Sequence, residues 1–253
     1  MFGFNSLKKA NKFSGSPGKR LYAVGDVHGC YDEMYDLISL IEKDNAALDP
    51  KDCIIVFLGD LIDRGPDSRA VLEYLITSPP EFAKTYCLKG NHEEMLLSVM
   101  RNEAERIPQW LTYGGKSFVE SYGVDIDMLS SLDAYDMQHI LRKYIPSSHL
   151  DFVDGMLDCI SFEDYFLVHA GVDPEVSRED QEPKTMRWIR EPFLSSKTKL
   201  GYRVVHGHTI ESEPVFTQNR IGIDTGCYET GILSAIVIEN EDIRVISTTG
   251  NTE

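Results

Sequence analysis

The stretch that decides the fold is Cys53-Ile54-Ile55-Val56-Phe57-Leu58-Gly59-Asp60-Leu61-Ile62-Asp63-Arg64-Gly65. Its first six residues are apolar without alternation, which is typical of a strand buried on both faces in the centre of an α/β sheet. In open α/β sheets, ligands bind beyond the carboxyl ends of the strands. We therefore expect Asp60, Asp63 and Arg64 to project into a crevice that holds cations and an anion together. Taken alone, the motif is equally compatible with a tight turn whose charges lie in solvent.

Strand, motif and helix follow one another three times in the amino-terminal part of the chain. Leu21–Asp26 is a predicted strand that ends in GDVHG (25–29), and Thr85–Leu88 is a predicted strand that ends in GNHE (90–93). Each of the three motifs is followed by apolar residues at helical spacing. These residues are Tyr35, Leu37, Ile38 and Ile41, then Val71, Leu72 and Leu75, then Met95, Leu96, Val99 and Met100. The alternation predicts a layered α/β fold, an α-β-β-α sandwich once the later strands are added.

Two segments depart from this rhythm. Residues 101–156 show helical patterns around Trp110–Tyr122 and Tyr135–Tyr144 without a chemical motif, which predicts a helical cap inserted over the strand ends. Residues 1–20 carry five basic residues and no acidic one. We expect a disordered basic tail there, because chain termini fray unless they are held. A weakly amphipathic segment for a membrane surface or a partner is the alternative. Residues 21–253 are expected to form one domain.

The carboxyl-terminal part supplies further strands and two more motifs. Tyr165–Val168 leads to His169-Ala170-Gly171, and Arg203–Val205 leads to His206-Gly207-His208. The remaining apolar runs are predicted to form antiparallel strands separated by turns. These runs are Ile221–Asp224, Ile232–Ile238 and Ile243–Ile246.

The composition excludes several classes of protein. The chain has 253 residues and a formal net charge of −16, which argues against nonspecific nucleic-acid binding because that requires a basic surface. The same charge is unfavourable for binding phosphate unless metal cations reverse the sign locally. No apolar run approaches the ~20 residues of a membrane span. The five cysteines include no CxxC pair, so we expect reduced thiols in a cytoplasmic protein.

Six residues of metal-ligand type lie at the ends of the five predicted strands. They are Asp26, His28, Asp60, Asn91, His169 and His208. A lone histidine at such a place is usually structural, but six ligand types in equivalent places are hard to attribute to chance. Carboxylate, imidazole and amide oxygen without thiolate suit divalent manganese, iron, zinc or magnesium and disfavour a structural zinc cluster.

Together, GDVHG, GDLIDRG, GNHE, HAG and GHT resemble the signature of the calcineurin-like metallophosphoesterases. Within them the chain is most similar to the phosphoprotein phosphatases, and among these to bacterial and phage serine/threonine phosphatases. The five blocks extend from Gly25 to Thr209, and Trp110–Gly123 also resembles a stretch of the bacterial members. The resemblance implies two divalent metals, with manganese the first choice and iron, zinc or magnesium as alternatives.

The resemblance also implies how the six ligands are divided. Asp26 and His28 match ligands of the first metal, Asp60 matches the carboxylate that bridges both, and Asn91, His169 and His208 match ligands of the second. Two divalent ions ~3.5–4 Å apart can hold a phosphate and share a hydroxide that attacks it. Their charge offsets the carboxylates and the substrate phosphate, which removes the difficulty of the acidic net charge.

Four further residues match groups that act on the substrate. Asp63 and His92 match a dyad that protonates the leaving group, with His92 the donor and Asp63 its orienting partner. His92 follows Asn91 at a predicted strand end, where neighbouring side chains point in opposite directions, so we expect His92 to face the leaving oxygen when Asn91 faces the metal. Arg64 and Arg190 match arginines that hold phosphoryl oxygens, a task suited to the planar guanidinium. Arg187 lies close enough in sequence to compete with Arg190 for this role.

Three functions remain open at this point. The first is a phosphomonoesterase that acts on phosphoserine and phosphothreonine in protein or peptide partners, by direct attack of the metal-bridging hydroxide. The second is a dinucleoside polyphosphate hydrolase such as a diadenosine tetraphosphate hydrolase. That sister group typically lacks the acid of DRG and carries GNHD, so Asp63 and Glu93 favour the first function. The third is an inactive phosphate-binding scaffold, which normally loses ligands, whereas none is lost here.

Overall fold

The computed structural model describes residues 13–250, so most of the predicted tail lies outside the described residues. In chain order, the strands of this region are β1 Lys19–Val24, β2 Asp52–Phe57, β3 Lys84–Cys87, β4 Cys159–Phe162, β5 Tyr165–Val168, β6 Arg203–His206, β7 Val215–Phe216, β8 Arg220–Gly222, β9 Ser234–Glu239 and β10 Asp242–Ser247.

Helices connect the strands and form the segment between β3 and β4. The α-helices are α1 Tyr31–Ala46, α2 Ser68–Thr77, α3 Asn91–Arg101, α4 Ile107–Trp110, α5 Lys116–Ser121, α6 Ile126–Ser130, α7 Ala134–Tyr144, α8 Ser147–Asp154, α9 Pro183–Trp188 and α10 Cys227–Thr230. Short 3-10 helices cover Ala104–Arg106 and Arg178–Asp180, and Leu111–Gly115 forms a π-helix. Helices α4 to α8 therefore fall within the predicted cap, residues 101–156.

The strands form two five-stranded sheets. The first has the order β10-β9-β1-β2-β3, and the second has the order β4-β5-β6-β8-β7. β1, β2 and β3 run parallel and are joined by α1 and α2, as the repeated strand–motif–helix pattern predicts. β5, β6 and β8 are the parallel strands of the second sheet. The ends that carry motifs in each sheet thus lie along one edge.

The two sheets pack face to face, with helices outside the first. Leu21 and Ala23 of β1 belong to an apolar cluster with Tyr165 and Leu167 of β5, between the sheets. The alternate residues of β1 pack instead against the helices on the outer face. This alternation follows from the period of two along a strand. The predicted layered sandwich is confirmed.

β2 shows why the decisive apolar run lacks alternation. Its residues Ile55, Val56 and Phe57, with Leu58 after them, are all fully buried. Odd-numbered residues face the helices and even-numbered ones face the second sheet, so both faces require apolar side chains. β2 lies between β1 and β3, one position from the middle of the sheet, so its burial comes from the covering layers.

The prediction for the carboxyl-terminal strands was partly wrong. β9 and β10 form an antiparallel pair, and β9 also runs antiparallel to β1. β8, however, runs parallel to β6. β4 and β7 were not predicted, and both lie at sheet edges, where β7 has only two residues. Edge strands this short carry too little pattern to detect in a sequence.

The first helix also differs from its prediction at one residue. Met34, Leu37, Ile38 and Ile41 are its buried residues, whereas Tyr35 is half exposed. Tyr35 packs at the surface against Tyr31 and Tyr74. Aromatic residues can cover one another in this way without entering the core.

β1 begins at Lys19, so it includes the last two residues of the segment 1–20 that was predicted to be a disordered tail. Arg20 is fully buried, and its guanidinium donates to Glu239 Oε2 at 2.5 Å, to Asn45 Oδ1 at 2.7 Å and to the Asp49 carbonyl at 3.0 Å. These partners replace the water that the cation loses on burial. A basic residue therefore fixes the end of the segment that composition assigned to a disordered tail.

This contact gives a stability prediction. Arg20→Met should lower the free energy of unfolding by about 2 kcal/mol, because Asn45 and Glu239 lose a buried donor. The loss stays below the ~3–5 kcal/mol of an isolated buried pair, because Lys51 still contacts Glu239 at 2.6 Å. Urea unfolding measures the change. Lys19→Met, at the exposed neighbouring position, is the control and should stay within about 0.5 kcal/mol of wild type. Equal losses in both variants would contradict the assignment.

Two expectations from composition can also be compared with residues 13–250. No helix in this range is long and apolar enough to cross a membrane. The five cysteines are free thiols, and all except the partly exposed Cys159 are buried.

Candidate metal centre and active site

The predicted ligands converge on Asp60 at the edge where the motif-bearing strands end. Its Oδ2 lies 3.3 Å from His169 Nε2 and 3.6 Å from His28 Nε2. His169 Nε2 in turn lies 3.0 Å from Asn91 Oδ1. One oxygen of Asp60 therefore faces imidazoles that come from the first and the second sheet.

Two groups of side chains in the described residues share Asp60 and could each hold a metal ion. One consists of His28, Asp60 and His92, and the other consists of Asp60, His169 and His208. Within each group the ligand atoms lie within 4.8 Å of one another, and all five residues are buried. Carboxylate and imidazole are ligands that divalent cations of the first transition row accept. The arrangement fits two neighbouring cations.

Asp26 lies outside both groups but contacts one of them. Its Oδ2 accepts the backbone N–H of His208 at 2.9 Å. Asp26 Oδ1 and His208 Nε2 are buried without a hydrogen-bond partner among the described residues. Buried polar atoms are normally paired, because leaving them unpaired costs free energy. A buried carboxylate oxygen and a buried imidazole nitrogen, both without a hydrogen-bond partner within residues 13–250 and from residues in contact, suit a cation.

The electrostatics also favour cations at this place. Burial, together with the carboxylates of Asp224 and Asp60, raises the pKa of Asp26 well above its usual value. A bound cation would keep these acids ionised together. Burial lowers the pKa of His28 and of His208 to about 3, so both rings are neutral, which is the form that ligates metals.

The two oxygens of Asp60 have different partners. Oδ1 accepts the backbone N–H of His92 at 3.0 Å. Only Oδ2 faces the imidazoles of both groups. Although burial opposes ionisation, the imidazoles of His169 and His92 hold the pKa of Asp60 well below its usual value.

Backbone strain is concentrated in the motifs. Five non-glycine site residues have left-handed backbone conformations, with φ between 47° and 69°: His28, Asp60, Asp63, Arg64 and His208. Such conformations persist only where the surroundings hold them, and they cluster at functional sites. Here the GDVHG and GDLIDRG loops bind each other through backbone hydrogen bonds, including His28 N–H to the Asp60 carbonyl at 2.8 Å. A Cβ on Gly65 would lie 2.1 Å from the His28 carbonyl oxygen, so this contact requires glycine.

Glu93 is a site residue whose role the sequence did not reveal. It is fully buried, and its carboxylate accepts three backbone N–H groups at 2.8 Å, those of Asp60, Leu61 and Gly90. It therefore ties the end of β2 to the start of α3 and holds the backbone on which Asp60 sits. Three converging N–H donors are the signal, and they become visible only in the folded chain.

His92 and Asp63 form the predicted pair. His92 Nδ1 lies 2.7 Å from Asp63 Oδ2, which also accepts the indole N–H of Trp110 at 2.9 Å. Although burial lowers it, the carboxylates of Asp60 and Asp63 raise the pKa of His92 to about 9. His92 Nε2 points to the other side and lies 4.0 Å from Asp60 Oδ2. The sequence had not indicated that Trp110, in the cap, takes part.

The reason given for the direction of His92 was wrong. We placed Asn91 and His92 at a strand end, where neighbours point in opposite directions, but both lie in the first turn of α3. Successive side chains on a helix diverge by only about 100°. Asn91 reaches His169, and His92 reaches Asp63, from neighbouring positions on one turn.

The three arginines considered for phosphate binding differ in their hydrogen-bond partners. Arg64 Nη1 donates to the Tyr228 hydroxyl at 2.8 Å, and its guanidinium lies 4.7 Å from the centre of the Tyr228 ring. Arg190 Nη2 donates to the His208 carbonyl at 3.3 Å. Arg187 instead binds Glu94 and Asp158. The structure therefore places Arg64 and Arg190 beside the predicted ligands and engages Arg187 elsewhere.

Comparison with known proteins adds the family. A family model described as calcineurin-like phosphoesterase matches residues 19–246. The asymmetrical bis(5'-nucleosyl)-tetraphosphatase PrpE of Bacillus velezensis is 25% identical over 222 residues, which cover 81% of this chain and 83% of that enzyme. The symmetrical bis(5'-nucleosyl)-tetraphosphatase of Legionella pneumophila is 30% identical over 156 residues, which cover 60% of this chain and only 45% of that enzyme.

A solved structure agrees with the fold. "Crystal structure of a putative diadenosine tetraphosphatase" superposes with a TM-score of 0.63, covering 95% of this chain and 100% of the other. The sequence identity is 20%, so this likeness concerns the fold alone.

Proposed function

The chain belongs to the calcineurin-like phosphoesterases, which are metal-dependent hydrolases, and within that family we propose that it hydrolyses dinucleoside polyphosphates of the bis(5'-nucleosyl) tetraphosphate type. The observation that carries the proposal is the match to the Bacillus velezensis tetraphosphatase, which extends over 81% of the chain.

The expectation of a serine/threonine protein phosphatase was wrong, and with it the expectation of a phosphoprotein partner. The curated relatives named above are bis(5'-nucleosyl)-tetraphosphatases, as is a relative from Halalkalibacterium halodurans. Our argument rested on Asp63 and Glu93, yet Asp63 is fully buried against His92 and Trp110. Glu93 is fully buried against backbone N–H groups. Because neither carboxylate is exposed to a ligand, neither can distinguish a phosphopeptide from a nucleotide.

We propose two divalent cations, manganese being our first choice, held by Asp26, His28, Asp60, Asn91, His169 and His208. When bound, such cations supply positive charge against the phosphates and lower the pKa of coordinated water to about 7 in favourable sites. The protein supplies the fixed positions of the ligands. Its strained loops and the Glu93 contacts hold those positions before substrate arrives, which reduces the reorganisation needed during the reaction.

The remaining groups act on the substrate. Arg64, steadied by Tyr228, and Arg190, beside His208, are proposed to hold non-bridging phosphoryl oxygens through charge-assisted hydrogen bonds. His92 is proposed to donate a proton to the departing oxygen, with Asp63 fixing its ring. A nucleotide leaving group departs as a phosphate oxyanion, so it needs this proton less than an alkoxide does.

The experiment compares two substrates on one preparation loaded with manganese. We expect release of mononucleotides from diadenosine tetraphosphate with a kcat/KM well above that for phosphate release from a phosphoserine peptide. Separation of the nucleotide products by chromatography measures the first reaction, and phosphate release measures the second. A preference for the phosphopeptide would reject the proposal.

Glu93→Gln tests whether that residue determines the substrate. In either orientation, the new amide group faces at least one backbone N–H with another donor, so the free energy of unfolding should fall by about 1–3 kcal/mol. The ratio of kcat/KM for diadenosine tetraphosphate to that for the phosphopeptide should not change. Glu105→Gln, at an exposed position in the cap, is the control for charge. A shift of the ratio in Glu93→Gln alone would restore Glu93 as a specificity residue.

A further inference from the structure

A groove lies between α3 and α9, the helix that precedes Arg190. Its volume is about 390 Å³, and it is lined by Met95, Ser98, Arg106, Lys184 and Trp188, among others. We call it the Trp188 groove. Sites for small ligands begin at about 300 Å³, so the groove has room for one nucleoside and not for a whole dinucleotide.

Trp188 is the feature that suggests a ligand. Its side chain is 38% exposed, whereas Trp110, the second tryptophan of the chain, is fully buried. The indole N–H donates to Glu94 Oε1 at 3.2 Å, so one edge of the ring is held against α3. Glu94 is fixed in turn by Arg187 at 2.7 Å. A large aromatic ring held by its edge and left open to solvent is suited to stacking with a nucleobase.

Two short stretches of chain link residues that line the groove to the candidate metal centre. Glu94, which holds the indole, comes three residues after Asn91 on the same helix, less than one turn away. Ile189, with φ −66° and ψ 137°, forms an extended polyproline-type link between Trp188 and Arg190. Their Cα atoms are then about 7 Å apart, a spacing that a short polyphosphate spans. Since Arg190 contacts His208, a phosphate beside Arg190 lies on the path from the metal centre to Trp188.

The charges of the groove suit the phosphate end of a nucleotide. The exposed Lys184 supplies a cation on a chain whose net charge is −16. Glu103 and Glu94 also line the groove, and each is paired with an arginine: Glu103 with Arg106 at 2.5 Å and Glu94 with Arg187 at 2.7 Å. Met95 adds a polarisable apolar wall. An aromatic and apolar face bordered by a lysine matches a base with a phosphate attached.

From these observations we propose that the Trp188 groove binds one nucleoside of the dinucleoside polyphosphate, with its base stacked on Trp188. The proposal rests on the proposed function, because it assigns the distal end of that substrate to a place on the protein. It makes Trp188 a residue that selects nucleotides over small phosphate esters, while the metal centre treats the phosphates of both alike.

The test compares Trp188→Ala and Trp188→Phe on diadenosine tetraphosphate and on p-nitrophenyl phosphate, which has no nucleoside. Loss of a stacked base typically costs about 1–3 kcal/mol, so Trp188→Ala should raise KM for the dinucleotide about tenfold. The same variant should leave kcat/KM for p-nitrophenyl phosphate unchanged. Trp188→Phe keeps a ring but loses the bond to Glu94, so it should retain most of the dinucleotide affinity. Tyr135→Ala removes an exposed aromatic from α7 and should change neither substrate.

Three outcomes would contradict nucleoside binding in the Trp188 groove. They are an unchanged KM for the dinucleotide in Trp188→Ala, equal losses on both substrates, and equal losses in the Ala and Phe variants. A binding measurement separates this inference from the proposed function. A methylene-bridged dinucleoside tetraphosphate should quench the tryptophan fluorescence of wild type and fail to do so in Trp188→Phe. An enzyme that cleaves p-nitrophenyl phosphate but no dinucleotide would reject the proposed function. In that case, quenching would still support nucleoside binding in the Trp188 groove, and the absence of quenching would contradict it.

Discussion

Replacing Asp60 by Asn should remove metal binding and lower kcat/KM by about 10³-fold or more. Bound metal typically contributes several kcal/mol to such reactions, and each 1.36 kcal/mol is about tenfold in rate. The expectation depends on the way Asp60 is held. Its Oδ1 accepts the backbone N–H of His92, and its Oδ2 faces the Nε2 atoms of His28 and His169.

The bond from His92 fixes how an introduced amide would lie. The carbonyl oxygen of Asn must occupy the Oδ1 position, because an NH₂ group there would meet the His92 N–H donor to donor. The NH₂ group then occupies the Oδ2 position, which both metal groups share. An amide nitrogen carries hydrogen atoms and no available lone pair, so it cannot ligate a cation from either side.

Metal content and activity are measured on the same preparations. Asp60→Asn should retain its fold by circular dichroism while losing both ions on dialysis. Asp67→Asn removes an exposed carboxylate from the same stretch of chain and should behave as wild type. Two ions at wild-type occupancy in Asp60→Asn, with activity intact, would reject Asp60 as the shared ligand.

A feature of the site could be predicted when the residues that cause it lie close together in the sequence. The ligands Asp60 and His169 lie directly after buried strands, and parallel strands bring such ends to one edge, so an apolar run followed by a polar residue suffices to place them. The strained loops that carry these ligands also have a local origin, since the glycines of the loops belong to the motifs themselves.

The contacts that sequence reasoning missed join segments far apart in the chain. Trp110 lies 47 residues from Asp63, and its bond depends on how the helical segment 101–156 packs against the GDLIDRG loop. Close packing holds this segment against the GDLIDRG loop. Arg64 N–H binds the Gly114 carbonyl at 3.0 Å, and a Cβ on Gly115 would lie 2.6 Å from the Trp110 ring. The apolar and aromatic pattern of this segment predicts helices and gives no information about their partners.

The substrate was mispredicted for a related reason. Asp63 and Glu93 were treated as if a motif residue must face the ligand, whereas the fold turns both carboxylates inward. A residue type that differs between two related groups of enzymes can reflect how a loop is held in place, and it then carries no information about the substrate. Under our proposal the substrate is selected in the Trp188 groove, which lies outside the sequence motifs.

His92→Asn should separate a proton donor from a metal ligand, and its effect should depend on the leaving group. His92 belongs to a group that could hold a metal, yet its Nε2 is farther from Asp60 Oδ2, at 4.0 Å, than those of His28 and His169. Its Nδ1 is engaged by Asp63 at 2.7 Å, which leaves Nε2 as the atom that can reach a departing oxygen. This geometry favours the donor role, so the variant should keep both metals.

The measurement is kcat for a series of aryl phosphates whose leaving groups differ in basicity. General acid catalysis is typically worth about 10²–10⁴-fold, and it matters most when the departing oxygen is basic. His92→Asn should therefore lose about 10²-fold or more on phenyl phosphate and much less on p-nitrophenyl phosphate. On diadenosine tetraphosphate, whose leaving group is a stable oxyanion, the loss should also be small.

Two more variants test the chain of contacts behind the histidine. Asp63→Asn should give the same dependence on leaving group more weakly, because Asp63 acts only by orienting His92. Trp110→Phe removes one donor to Asp63 and should have the smallest effect of the three. Equal losses across the aryl phosphates, or loss of a metal ion in His92→Asn, would contradict the donor role. His92 would then be a ligand of the first metal group, and the protonation of the leaving group would have to come from elsewhere.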